Sequence, residues 1–426
     1  MKKNKFIISV AIFTVLVYGS VYGLVTLYFD NLFTRAGKDV LLIALVFYSI
    51  AFLLIKKYFA GKESFSLMFF LVSFVIIGAC IPLGSGNVTS LMYGLKITVF
   101  PLLLIFSGIL MTRFRIKLDK VLIVTFSTII ITWIFQYNQG LEALLAAGWE
   151  YGVQVKHFNH VVLRLPSSVG TPDDYAFLLS LTGILLEYSD SVRNRKRIKF
   201  IIKVVTLVFL LLATIRSAII FWLIFQLVMS FHFVKGLKRR LQYLVLFLYC
   251  TTFSVVPLAI MYMSKSSLSS TSSLEDRFSH WGVHLPSIWS IEGLVGAGLG
   301  SVGSASRRTA DLGYQSTDYA VDNQYIAFYE QIGVLGCFCI LVIISIVVFL
   351  ILLNIKKTNN FSAKVASCLL VCTFVSGFFT NILELYPFNL FLWTYIGTSL
   401  YQFKYESIEA FITQKRKKKK RRRLVW

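Results

Sequence analysis

Residues 331–353 read QIGVLGCFCILVIISIVVFLILL, a run without a single charged side chain. A bilayer's hydrocarbon core is about 30 Å thick, so a helix crossing it needs roughly 20 apolar residues. Lipid offers no water to the backbone N–H and C=O groups, and a run of this length therefore predicts a membrane-spanning helix. Working outward, comparable runs recur at 6–28, 40–55, 65–83, 91–111, 121–137, 172–188, 200–214, 217–234, 241–263, 365–380 and 386–402. That makes about twelve spans, with 200–214 and 217–234 also readable as one re-entrant pair. The 426 residues are 57% hydrophobic with a mean hydropathy of +0.73, far above the apolar share of a water-soluble domain. No small-residue cleavage site follows the first run, which reads as a retained anchor. The expected fold is all-α: one polytopic membrane domain over 1–404, then a polybasic tail over 405–426.

Lysine and arginine set the expected orientation. One set of connectors holds Lys56–Lys57, Arg113–Arg115–Lys117–Lys120, Arg193–Arg195–Lys196–Arg197, Lys238–Arg239–Arg240 and Lys356–Lys357. The alternate set is poor in them: 84–90 has no charge and 381–389 has only Glu384. The positive-inside rule puts both termini in the cytoplasm and 138–171 and 264–322 outside. The net charge of +23 is not a nucleic-acid signature, because nine of the positive charges form the run Lys415–Arg423 beside the last span. Such a tail attracts anionic lipid, at about 1 kcal/mol per basic residue near the surface. RNA binding by the tail is the competing reading. The six cysteines all fall in apolar runs, where they read as small packing residues rather than as disulfide or metal sites.

Polar chemistry collects in the two long external loops. Arg277, His280, Trp281 and His284 recur at i, i+3, i+4 and i+7, one face of a helix that Pro286 would end. An amphipathic helix lying on the lipid surface would also show such a stripe, but usually with lysine on its polar face. Four of the five histidines (His157, His160, His280, His284) lie in these loops together with Trp149, Trp281 and Trp289. Arg216 interrupts apolar sequence between two runs, and Arg164 sits in Leu-Arg-Leu-Pro ahead of Ser167–Gly170. With Arg277 they supply three guanidiniums able to converge outside; such groups grip phosphate oxygens two at a time and stay charged at physiological pH. A diphosphate ligand would offset the cost of gathering them. Gly296-x-Gly298-x-Gly300 lacks the strand–turn–helix setting of a nucleotide cradle and reads as a tight external turn. Asn87-Val-Thr fits a glycosylation sequon but lies too close to the membrane to be convincing. Acidic pairs with the D-x-D spacing of a metal–diphosphate site are absent early in the chain, so neither metal nor other cofactor is expected.

In their order along the chain these pieces resemble the O-antigen polymerase and ligase superfamily of bacterial surface-polysaccharide enzymes. Four stretches carry the resemblance: Arg164-Leu-Pro-Ser-Ser-Val-Gly-Thr-Pro, Thr214-Ile-Arg-Ser, Arg277-Phe-Ser-His-Trp followed by Gly296-Ala-Gly-Leu-Gly, and Asp322-Asn-Gln-Tyr followed by Glu330-Gln-Ile-Gly-Val-Leu-Gly336. Each is short; their order over roughly residues 160–340 is the specific part. Ligases of the superfamily carry a histidine just before the asparagine, where this chain has Ala320-Val-Asp322-Asn323, which favours a polymerase over a ligase.

The resemblance implies a fold of the GT-C kind, a place in the bacterial cytoplasmic membrane and a substrate of oligosaccharide on undecaprenyl diphosphate. It also implies transfer of a growing chain onto a new lipid-linked repeat unit, with a chain-length regulator protein as a further partner. The leaving diphosphate then needs fixed positive charge, supplied by Arg164, Arg216 and Arg277. The acceptor hydroxyl needs a base, for which Asp322 ranks first and His280 second, ahead of His284 and Glu275. Partial burial of Asp322 is expected to tune it; the competing role is a cap on the following helix. Trp281 and Trp289 suit the apolar faces of sugars. The rival readings are a ligase, a lipid-linked oligosaccharide flippase, and a peptidoglycan glycosyltransferase of the shape, elongation and division type. Against a flippase stand the lack of an internal repeat and the placement of most ionisable groups at span ends.

Overall fold

A computed structural model describes residues 2–29, 31–55, 62–84, 88–158, 162–232, 286–303 and 321–400. The helices are α1 (Lys2–Tyr28), α2 (Leu32–Ile55), α3 (Lys62–Gly84), α4 (Val88–Phe114), α5 (Asp119–Ala146), α6 (Pro172–Glu187), α7 (Lys196–Ala213) and α8 (Arg216–His232). They continue with α9 (Ile291–Val295), α10 (Gln324–Thr358), α11 (Phe361–Ser376) and α12, helical from 388 to 400. Among the described residues six helices, α1 to α5 and α10, are long and apolar enough to cross a membrane. The protein is thus a helical chain built to cross a membrane several times. Each expected run coincides with a helix except 241–263, which lies outside the described residues. The expected pair 200–214 and 217–234 forms two separate helices joined at Thr214-Ile215.

The all-α expectation needs one addition. Strands β1 (Lys156–Phe158) and β2 (Val162–Arg164) pair antiparallel, with Lys156 opposite Arg164 and Phe158 opposite Val162. α5 also outruns its apolar stretch: Gly140, at φ 75°, breaks the helix geometry, and the chain resumes helix to Ala146. α10 has the same device at Gly333, φ 59°, where a short segment on the loop side gives way to the membrane run. With ψ at 172° and −168°, these two backbone conformations are essentially confined to glycine.

Burial sorts the helices into a centre and a rim. α6, α11 and α12 are buried along nearly their whole length, whereas α1, α2, α3, α5, α7 and α8 expose rows of large apolar side chains suited to lipid. Phe177, Phe221 and Phe388 join α6, α8 and α12 through edge-to-face ring contacts at 5.6–5.9 Å. α4 and α12 cross backbone to backbone: a Cβ on Gly108 would fall 2.1 Å from the Thr394 carbonyl oxygen, and one on Gly397 equally close to that of Ile105. Small residues at a crossing are the usual means of close approach between membrane helices.

The helix ends gather on two faces. On one, Leu24 N donates to Ser168 O, Arg164 reaches Thr214, Leu299 N donates to Gly78 O, and Gln324 N donates to Gly377 O. This loop face therefore collects the ends of α1, α3, α5, α7 and α11 and the starts of α4, α6, α8 and α10. On the opposite face Lys117 meets Asp190 at 3.3 Å, Lys199 meets Glu187 at 3.5 Å, and Ser399 Oγ donates to Ser362 O. Of the connectors rich in lysine and arginine, 113–120, 193–197 and 356–357 lie on this second face, while Lys56–Lys57 and Lys238–Arg240 fall outside the described residues.

Candidate functional site

On the loop face the hairpin β1–β2 presents Lys156, Phe158 and Arg164 on one side, since directly paired residues and those two apart share a face. Arg164 Nε donates to Thr214 Oγ1 and its Nη2 to Thr214 O, both at 2.9 Å. Thr214 holds a left-handed conformation, φ 55°, as it caps α7, and this turns its carbonyl toward the hairpin. Two residues on, Arg216 opens α8 as an exposed side chain. The Arg164 guanidinium carbon stands 4.5 Å from the centre of the Phe158 ring, and that of Arg216 stands 5.6 Å from it. One aromatic ring therefore serves two guanidiniums.

Lys156 is the third cation, and sequence reading had missed it. Asp173, in the first turn of α6, approaches it at 3.8 Å, both groups being more than a third exposed. Such a pair contributes little, about 0–1 kcal/mol. The start of α6 is itself fixed: Thr171 Oγ1 accepts from Asp174 N and donates to Asp174 Oδ2, with Pro172 in the first turn. His157 faces away from the cations and meets the Tyr151 hydroxyl at 3.0 Å. Lys156, Arg164 and Arg216 thus form a half-open positive patch with mainly donor N–H groups, a setting for an anion with several oxygens.

Asp322 lies on the same face, directly ahead of α10, but it is exposed rather than partly buried as expected. It is also not the cap. Asn323 is, its Oδ1 accepting from Tyr325 N and Ile326 N at 3.0 and 3.3 Å. The first two turns of α10 hold polar groups that sequence reading had not singled out as site residues. Gln331 Nε2 donates to Glu384 Oε1 at 3.2 Å and to Val302 O, while its Oε1 accepts from Gly300 N. Glu330 is 6% exposed, and neither of its carboxylate oxygens has a hydrogen-bond partner among the described residues. The available signal was an acidic residue at the lip of an apolar run, where burying it is costly.

The glycine string is a packing wedge. A Cβ at Gly296 would meet the Gln331 backbone, one at Gly298 would meet Pro82, and one at Gly300 the Ser90 carbonyl; all three have positive φ. Trp289 stands 92% exposed just before α9. Arg277, His280 and Trp281 lie outside the described residues, as do His160 and His284. Among the described residues no group of three His, Cys, Asp or Glu side chains is placed to hold a metal ion. Of the expected site, the fold brings Arg164 and Arg216 together and sets Asp322 and Trp289 on the same face. No protein-family model matches this sequence, and comparison with curated proteins finds no match.

Proposed function

We propose that the chain is a polysaccharide polymerase of the O-antigen polymerase kind, working at the external face of a bacterial cytoplasmic membrane with both termini inside. The observation that supports this reading best is the convergence of Arg164 and Arg216 on Phe158, beside Lys156, at the face that also holds residues 286–303. The hydroxyl of a lipid-linked repeat unit attacks the anomeric carbon of the growing chain. The bond from that carbon to the lipid diphosphate breaks, the diphosphate leaves with the electron pair, and a base accepts the hydroxyl proton. Arginines held before the reaction stabilise the developing charge without reorganising. Asp322 is the first choice for the base and His280 the second; Arg277 would complete the diphosphate site, and Trp281 and Trp289 would carry sugar.

Deletion of the gene is expected to leave single repeat units on the lipid carrier, and purified protein is expected to lengthen them with a chelator present. Polymer of normal length in the deletion strain would overturn the reading. Activity lost to a chelator and restored by a divalent ion would overturn the metal-independent mechanism.

A flippase is the second reading, and one observation favours it: Lys38, Asp39 and Lys96 lie within α2 and α4 rather than beyond their ends. Lipid-linked units trapped on the inner leaflet after deletion would support transport, and units accumulating on the outer leaflet support polymerisation.

A further inference from the structure

A charged side chain near a helix centre in a bilayer costs about 2.5–3.5 kcal/mol, less toward the interface, and such residues mark functional paths more often than not. Lys38 is 6% exposed. Its Nζ stands 3.3 Å from the centre of the Tyr22 ring and 4.2 Å from that of Tyr386. These two rings meet edge to face at 6.0 Å, so the ammonium is seated in an aromatic corner. Lys96 lies one helix over, in a π-helical turn (Leu95–Val99) of α4, and its Nζ is 2.6 Å from Asp39 Oδ2. π-turns inside α-helices concentrate at functional sites. Asp39, the partner of Lys96, is the residue after Lys38 on α2, and Lys96 and Asp39 are each about one-quarter exposed.

The cluster adjoins the arginine patch. Leu24 N donates to Ser168 O and Ser168 Oγ to Ser20 O, which ties α1 on either side of Tyr22 to the strand of chain between Arg164 and α6. Tyr386 lies two residues ahead of Phe388, whose ring packs on Phe177 of α6 and Phe221 of α8. Lys38, through its ring partner Tyr22, therefore lies beside the strip 165–171 that leads from Arg164 to α6, with Lys96 reached from it through Asp39.

We propose that Lys38 and Lys96 form a second phosphate-binding subsite, which holds the diphosphate of the acceptor lipid while Arg164 and Arg216 hold that of the donor. This rests on the polymerase reading, in which two lipid diphosphates are bound at once. The chemistry asked of the two is unequal. The donor diphosphate departs and gains charge, which calls for the bidentate grip of guanidinium. The acceptor diphosphate only has to be neutralised and kept in register, which an ammonium point charge does. No bond forms or breaks at the lysine subsite.

The test uses the full chain in nanodiscs of zwitterionic lipid, titrated with a short-chain polyprenyl diphosphate and counted by native mass spectrometry. Two equivalents are expected. Lys38→Met and Lys96→Met each weaken one of them at least tenfold, Arg216→Gln weakens the other, and Lys96→Arg keeps both. If Lys38→Met does not accumulate, the more exposed Lys96→Met decides alone. Inorganic diphosphate is expected to displace the probe at both sites, which marks the diphosphate itself as the feature recognised. A lysine site that inorganic diphosphate leaves untouched and phosphatidylglycerol empties is a bilayer-lipid site, and that overturns the proposal. One equivalent, lost with Arg216→Gln and indifferent to both lysines, overturns the subsite but leaves the donor site standing. No binding at all overturns both together with the polymerase reading.

Discussion

Arg164 and Arg216 differ in what the fold leaves them to do. Arg164 commits two of its N–H groups to Thr214 and so fixes the turn from which Arg216 projects. Arg216 makes no hydrogen bond or ion pair among the described residues. Arg216→Lys keeps the charge but removes the planar fork, and is expected to slow chain extension at least ~10-fold, about 1.4 kcal/mol of barrier, with protein level unchanged. Extension at the normal rate would remove Arg216 from the diphosphate site. Asp322 is open to a similarly clean substitution, because Asn323 carries the cap. Asp322→Asn should leave α10 intact and stall synthesis at single repeat units on a gel of extracted polysaccharide. Normal chain length at normal protein level would pass the base to His280. At this scale sequence was informative where a residue breaks a pattern, as Arg216 does between two apolar runs. It was blind to Lys156, one basic residue among many, whose importance comes only from its pairing opposite Arg164.

Among the elements, the 296–303 wedge shows how a pattern can be read correctly and still understated. Three glycines at alternate positions announce a turn. That each is pressed against a different partner, in α10, α3 and α4, cannot be read from spacing. Gly300 combines φ +85° with a Cβ position 2.0 Å from the Ser90 carbonyl oxygen. Gly300→Ala is expected to destabilise by more than the roughly 1–2 kcal/mol of the left-handed conformation alone. Gly37, in α2 with nothing within 4 Å, supplies the opposite sign: alanine there gains up to about 1 kcal/mol of helix preference. Thermal unfolding in detergent should lower the midpoint for Gly300→Ala and leave it equal or higher for Gly37→Ala; equal midpoints for both would refute the wedge. The hairpin was not foreseen, because residues 156–164 contain no Asn-Gly or Asp-Gly turn signal.

For the molecule as a whole, the alternation of basic and neutral connectors was the most legible property, since it is a sum over many residues and tolerates local error. Among the described residues, the contacts place members of those two sets of connectors on opposite faces. Lys38 escaped notice because the apolar run begins at residue 40, whereas the helix begins at Leu32 and takes Lys38 in. Orientation has a direct chemical test. Cysteines introduced singly at Ser287 and Asn359, both exposed, are to be treated in intact cells with a thiol reagent that cannot cross the membrane. Labelling at Ser287 alone is expected; labelling at Asn359 alone inverts the topology and moves the arginine patch to the cytoplasm.

The central position of α12 bears on how the protein is made. Its residues are nearly all buried, and it reaches α4 at Gly108, α10 through Asn354 Nδ2 donating to Ser399 O, and α11 through Ser362. Yet it leaves the ribosome after every other described helix. The earlier helices must therefore wait in the translocon's surroundings around an unfilled middle, their small-residue seams and buried carboxamides facing lipid or one another. Quality-control proteases would find the chain most vulnerable in that interval. A version stopped at Leu385 is expected to insert but to disappear within a few minutes of a pulse label, while the full chain persists. Equal half-lives would mean that the bundle closes without its central helix.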